Sequence, residues 1–322
     1  KNIEKLPLKS SAYGMLYAFG HLYITRYTSL KRAAVKDDGT FGTEKMVFAQ
    51  GGRGEHGPHS IIKSADGKSI YAIAGNYTEP SPFQKSRIQR NMKNDLLLKH
   101  YKFGHNNYGT PPAGWVMKLS PDGSKSEMMS MGYRNAVDFG LNRHGEMFVY
   151  DSDMEHDVGS PWYRPTRITH AISGAENGWR ATTQKWRSYF TDTVGSVIDL
   201  GPGCPTGVVF GTEAKFPTAY RDAMFICDWT YASMYSIHYT PKGSSYTAEK
   251  REFISNTKGP LALTDVQFGK DGHMYFTVGG RKGQSALYRV IYTGKASTKL
   301  SALDSRGAKL RAKRHELEAF HG

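Results

Sequence analysis

Apolar and polar positions alternate with period two along most of the chain, in runs of five to eight residues broken by Gly-containing dipeptides. The turn dipeptides are Asp66-Gly67, Asp122-Gly123, His144-Gly145, Lys242-Gly243 and Asp271-Gly272, each between two apolar runs, which predicts hairpins. Three stretches align on their turns: HSIIKSADGKSIYAIAG (59–75), NAVDFGLNRHGEMFVYDSD (135–153) and LTDVQFGKDGHMYFTVGG (263–280). Each reads as an apolar strand, a Gly turn, then an aromatic strand ending in a polar or Gly cluster. Repetition of that unit is the signature of a radial array.

Outer strands such as EKMVFAQ, GWVMKLS, SMYSIHY, KREFIS and SALYRVIY extend each pair, giving blades near 13–50, 58–131, 132–199, 203–255 and 261–293. The last has three strands. KNIEKLPL (1–8) reads as the outermost strand of a further blade. The expectation is an all-β, six-bladed-type β-propeller truncated by one blade, with open edges that favour aggregation. Residues 77–113 and 154–194 break the alternation and are expected to be long functional loops. Residues 1–295 form the propeller on this reading. Residues 296–322, with DSRGAKLRAKRHELEAFHG, have a helical pattern and read as a linker to a downstream domain.

Composition agrees: 35 Gly and 20 Tyr in 322 residues suit many short strands and tight turns. The net charge of +14 reads as a solvated basic surface, since no basic stripe with interleaved aromatics appears before the C-terminal segment, and nucleic acid is not expected as a partner. No apolar run approaches the roughly 20 residues of a membrane span. Cys204 and Cys227 lack zinc or haem-attachment spacing; a disulfide between neighbouring strands and two buried thiols are both open.

GRGEHGPHSI with ADGKSIYAIAGN, and GYRNAVDFGLNRHGEMFVYDSDMEHD, resemble consecutive blades of the quinone-dependent glucose/sorbosone dehydrogenases. PWYRPTRITHAISGAENGWR, GPGCPTGVVFGTEAKFPTAYRDAMFICDW and PLALTDVQFGKDGHMYFTVGGRKGQSALYRV resemble one subgroup, the large bacterial "membrane-bound dehydrogenase" proteins best known from planctomycetes and verrucomicrobia. The resemblance covers nearly the whole chain. It implies oxidation of a sugar or polyol, pyrroloquinoline quinone and Ca2+ as cofactors, and a periplasmic or secreted location. It also implies helical repeats and an electron-accepting c-type cytochrome domain further along.

Polar residues at the strand starts converge on the mouth of such a ring. His56 lies ten residues before Asp66, as the catalytic His of the family does, and suits a base because an imidazole titrates near working pH. Glu55 precedes it and is expected in the catalytic pair, where it or another nearby carboxylate would raise the basicity of the imidazole, and His59 is expected beside it as a substrate or supporting residue. Arg134 and Asn135 match the family's quinone-contacting pair, Arg being suited to bidentate contact with oxygens. Asp151, Ser152, Asp228, Trp229, Thr264, Asp265 and Arg281 are expected around the same mouth, with Asp228 and Arg281 as cofactor contacts. The resemblance maps calcium-holding carbonyls near Asp153 and Met154; YDSDMEHD lacks EF-hand spacing. The chain departs from the family where Lys and two Arg residues hold the quinone: the matching positions are about Thr230, Ala262 and Thr264. Arg281, Arg164 or Arg167 are the candidates to compensate. A carbohydrate- or partner-binding propeller without cofactor is the alternative reading.

Overall fold

The computed structural model describes residues 12–52, 54–88, 112–152, 164–180, 193–256, 259 and 261–321. The hairpins form where the Gly turns predict them. Gly67, Gly145 and Gly272 take φ of +69°, +76° and +76°, a region costly for other residues. The preceding aspartate locks the turn: Asp66 Oδ1 accepts the Lys68 N–H at 3.0 Å, and Asp271 Oδ1 that of His273 at 3.1 Å.

Among the described residues five sheets result, antiparallel except for two short strands added in parallel. The first holds β1 (Gly14–Ala18), β2 (His21–Arg26), β3 (Ser29–Ala34) and β4 (Lys45–Gly52), with β7 (Thr78–Pro80) on its outer edge. The second holds β5 (Pro58–Lys63), β6 (Ile70–Ala74), β9 (Gly114–Leu119) and β10 (Ser126–Tyr133), with β8 (Lys85–Ser86) and β14 (Ala175–Glu176) added in parallel. The third is β11 (Asp138–Leu141), β12 (Met147–Asp151), β13 (Thr166–His170) and β15 (Ser196–Gly201). The fourth is β16 (Pro205–Phe210), β17 (Met224–Asp228), β18 (Ser233–Lys242) and β19 (Ser245–Ile254). The fifth has three strands: β20 (Leu263–Phe268), β21 (Met274–Gly280) and β22 (Gly283–Val290).

The innermost strands lie side by side, β1 on β5, β5 on β11, β11 on β16 and β16 on β20. The sheets are therefore the blades of a five-bladed arrangement. Four apolar layers fill the spaces between them. Interior blades bury both faces, so their strands read as continuous apolar runs: Ile70 and Ala72 of β6 face the first blade, Ile73 the third. The outer faces of the terminal blades are different. Met15 and Tyr17 of β1 are 60% and 66% exposed, and Leu287 of β22 is 67% exposed.

The stretch 154–194 is not purely a loop. Thr166–His170 forms β13, the third strand of its blade. Its apolar signal is weak because its buried polar residues are paired instead: Arg167 with Asp151 at 3.0 Å and His170 with Glu146 at 2.8 Å. No disulfide joins the two cysteines, and Cys227 is buried while Cys204 is exposed, so neither sequence reading of the pair holds.

A C-terminal strap crosses the hairpin-turn end of the blades. Ser297 O accepts Thr218 N–H at 2.9 Å, beside the single turn α1 (Thr218–Arg221), and Ser301 O accepts Arg143 Nη2 at 3.0 Å. It ends in α2 (Ala308–Glu318), which docks by charge: Arg314 Nη2 lies 2.5 Å from the buried Glu146. No helix among the described residues is long and apolar enough to cross a membrane.

Candidate functional site

The opposite end of the blades, beyond the strand ends at Ala74, Asp151 and Asp228, brings together several of the expected residues. His56 sits two residues before β5 and is buried, 3% exposed. Its Nδ1 lies 2.6 Å from Oδ1 of Asn76, just past the end of β6. An amide oxygen only accepts, so Nδ1 carries the hydrogen and Nε2 is the basic nitrogen. Tyr77 stacks on the ring with centroids 4.7 Å apart and fixes its plane. Glu55 is exposed, and Asn76 orients His56 through this contact.

The next blade supplies Arg134 and Asn135 at the same end. Asn76 N–H donates to Arg134 O at 2.8 Å, so the residue that holds His56 also ties its blade to the Arg134 turn. Arg134 is 3% exposed and donates from Nη1 to Ser152 Oγ at 3.1 Å. Asn135 Oδ1 accepts from His59 Nε2 at 2.7 Å. Burial lowers the His59 pKa to about 4, against a smaller upward effect of Asn135, so this imidazole is neutral at ordinary pH and suits a fixed donor rather than a base. A Cβ on Gly75 would come within 2.6 Å of Asn135 Oδ1 and 2.7 Å of His56 O, so this corner closes only around a glycine.

Asp228 occupies the corresponding place in the fourth blade. It is buried and accepts the main-chain N–H groups of Cys204 at 3.3 Å and Tyr231 at 3.0 Å. Burial raises its pKa. Its contacts are those of a turn clamp. Arg281 is exposed, with its guanidinium 5.1 Å from the Trp229 ring centroid, and Trp229 Nε1 donates to Gly279 O at 2.8 Å. Arg167, expected as a compensating cation, is spent inside the third blade on Asp151, and it is 3% exposed. Asp153 and Met154 lie outside the described residues. Among the described residues no group of three His, Cys, Asp or Glu side chains could hold a metal.

Asp138 opens β11 and is buried. Its Oδ2 accepts Val208 N–H of β16 at 2.6 Å, linking the third blade to the fourth. Burial, reinforced by the charge of Asp265, raises its pKa to about 7. Gly207 lies against Asp265: a Cβ there would meet Asp265 Oδ1 at 2.8 Å.

No family model matches the chain, and no curated protein does. Solved structures do. The chain is similar to a glucose dehydrogenase at TM-score 0.62 and 13% identity, over 87% of this chain and 82% of that one. It is similar to the PQQ-bound aldose sugar dehydrogenase of Streptomyces coelicolor at TM-score 0.56 and 14% identity, over 84% and 74%. The soluble aldose sugar dehydrogenase of Escherichia coli, in its apo-form, matches at TM-score 0.55 and 13% identity, over 80% and 75%. At such identities the likeness establishes the fold.

Asn76 and Tyr77 are the site residues that sequence reasoning missed. The signal was available in part: the GN pair follows a strand whose register places its end beside His56.

Proposed function

We propose that this protein oxidises a sugar or related polyol with a quinone cofactor, and that His56 is the base. The observation that carries the reading is the His56–Asn76 contact of 2.6 Å, which points the basic Nε2 of a buried imidazole away from its anchor, one blade from Arg134 and Asn135. The solved structures sharing the fold include a PQQ-bound sugar dehydrogenase, which supports the same chemistry here.

The donor set fits the reacting end of a quinone. Arg134 and Asn135 offer a guanidinium and an amide from adjacent positions, and Arg281 on the rim adds a cation for the acidic groups. The neutral Thr230, Ala262 and Thr264 supply no charge, so the quinone is held with fewer ion pairs than in the family. Bound there, it supplies the hydride acceptor. His56 Nε2 takes the hydroxyl proton as the C–H bond breaks, Asn76 keeps that nitrogen aimed, and His59 and Asn135 fix the neighbouring wall.

We also infer that the ring is completed by a sixth blade. The exposed apolar residues Met15 and Tyr17 on the first blade and Leu287 on the fifth are the support for it. The functional test is reconstitution with quinone, with and without Ca2+, followed by dye-linked oxidation of a panel of aldoses and polyols. Turnover of any of these supports the reading. Failure to bind quinone under all conditions would replace it with a cofactor-free propeller that recognises carbohydrate or a partner.

A further inference from the structure

Asp151 closes β12 and is completely buried. Its Oδ1 accepts the main-chain N–H groups of Arg134 at 3.1 Å, Asn135 at 3.0 Å and Ser152 at 3.0 Å. Its Oδ2 takes the guanidinium of Arg167, from Nε at 3.3 Å and Nη2 at 3.0 Å. Arg167 is the register partner of Asp151 on β13, and its Nη1 donates to Asn177 O at 2.8 Å. The Arg134 N–H is shared with Oδ2 at 3.2 Å, so Oδ1 holds most of the turn while Oδ2, touching that one N–H, is anchored in the blade by Arg167.

The internal repeat supplies a comparison. Asp228 closes β17 in the same way and clamps its own turn, but its register partner on β18 is Ser233, which brings no charge. In the second blade the equivalent strand end is Ala74. A carboxylate opposite an arginine occurs in the blade whose turn carries Arg134 and Asn135. Both side chains depend on it: Ser152, held by Asp151, receives Arg134 Nη1 at 3.1 Å, and Asn135 reaches His59 at 2.7 Å.

We propose that Asp151 and Arg167 are positioning residues for the mouth, fixing the turn so that Arg134 and Asn135 present their side chains in one geometry. Neither touches the reacting groups. The role in quinone binding rests on the function proposed above; the geometric role does not. A buried carboxylate anchored on one oxygen cannot rotate, so its other oxygen stays on the three N–H groups.

The variants are Arg167→Met and Arg167→Lys, with Asp151→Asn as a harsher third. The first readout needs no cofactor. Asn135 Oδ1 can only accept, so His59 Nε2 carries a hydrogen-bonded proton that NMR of 15N-histidine-labelled protein detects. In folded Arg167→Met that proton should exchange with solvent at least about 10-fold faster than in the parent, and Arg167→Lys should recover part of the difference. The second readout is quinone affinity, expected to weaken by about 10-fold in Arg167→Met while the kcat of loaded enzyme stays within about 3-fold. An unchanged exchange rate in Arg167→Met with a native melting profile overturns the proposal. So does a loss of active sites in proportion to unfolded protein with unchanged exchange in the folded fraction, which would make the pair structural only. If the parent binds no quinone, the functional reading fails and the exchange measurement still decides this one.

Discussion

Nδ1 of His56 lies 2.6 Å from Oδ1 of Asn76, twenty residues along the chain and across the strand pair. A neutral amide orients an imidazole and favours its charged form far less than a carboxylate at the same place would. Asn76→Asp should therefore move the acidic limb of the kcat/KM profile upward by about 1–3 pH units, because an opposite charge favours the imidazolium. Asn76→Ala should leave the limb near its place and lower turnover by about 10-fold or more as the ring loses its anchor. A pH–rate series on both variants checks this, and a limb that Asn76→Asp does not shift would place the anchor elsewhere.

Glu146 joins the third blade to α2. It accepts from His170 at 2.8 Å and from Arg314 at 2.5 Å, and it contacts His315 at 3.0 Å. Burial alone would raise its pKa, but the His170 and Arg314 hydrogen bonds outweigh it and bring the value to about 2, from 4.5. A depressed carboxyl contributes stability above its unfolded pKa and loses it as pH falls through the folded one. The contribution, roughly 3 kcal/mol at neutral pH, should fade between pH 4.5 and 2. Denaturant unfolding across that range should show a steeper loss in the parent than in Glu146→Gln. Parallel curves would mean that Glu146 is not the coupling group.

Asp138 has the opposite sign. Burial and the charge of Asp265 raise its pKa from 3.8 to about 7, so its contribution is full below pH 3.8 and is lost as pH rises to 7. Asparagine cannot ionise and can still accept the Val208 N–H. Asp138→Asn should gain on the parent by up to roughly 4 kcal/mol between pH 3.8 and 7, read from unfolding free energies of the two proteins. A difference that is constant with pH would show that Asp138 titrates normally.

Much of the architecture is legible in the sequence because it is local. Asp-Gly dipeptides set the hairpins, and the period-two runs mark the strands. The turn also supplies a ruler: His56 and Arg134 each lie eleven residues before their turn glycine, Gly67 and Gly145, so their shared end of the blades follows from counting. What the sequence hides is pairing between strands. β13 was obscured because Arg167 and His170 fill buried places that apolar residues usually mark. Arg167 reads as a spare cation until its register partner Asp151 is known. Asn76 is silent in the sequence as a partner of His56 because the backbone carries it there from the neighbouring strand.

The central claim is that His56 is the base of a quinone-dependent oxidation, and the most direct test is to measure quinone affinity and sugar turnover in reconstituted parent and His56→Ala. Loss of a general base should lower turnover by about 10²–10⁴ while quinone affinity stays within about 3-fold of the parent. A His56→Ala protein that binds quinone and oxidises sugars as fast as the parent would contradict the account.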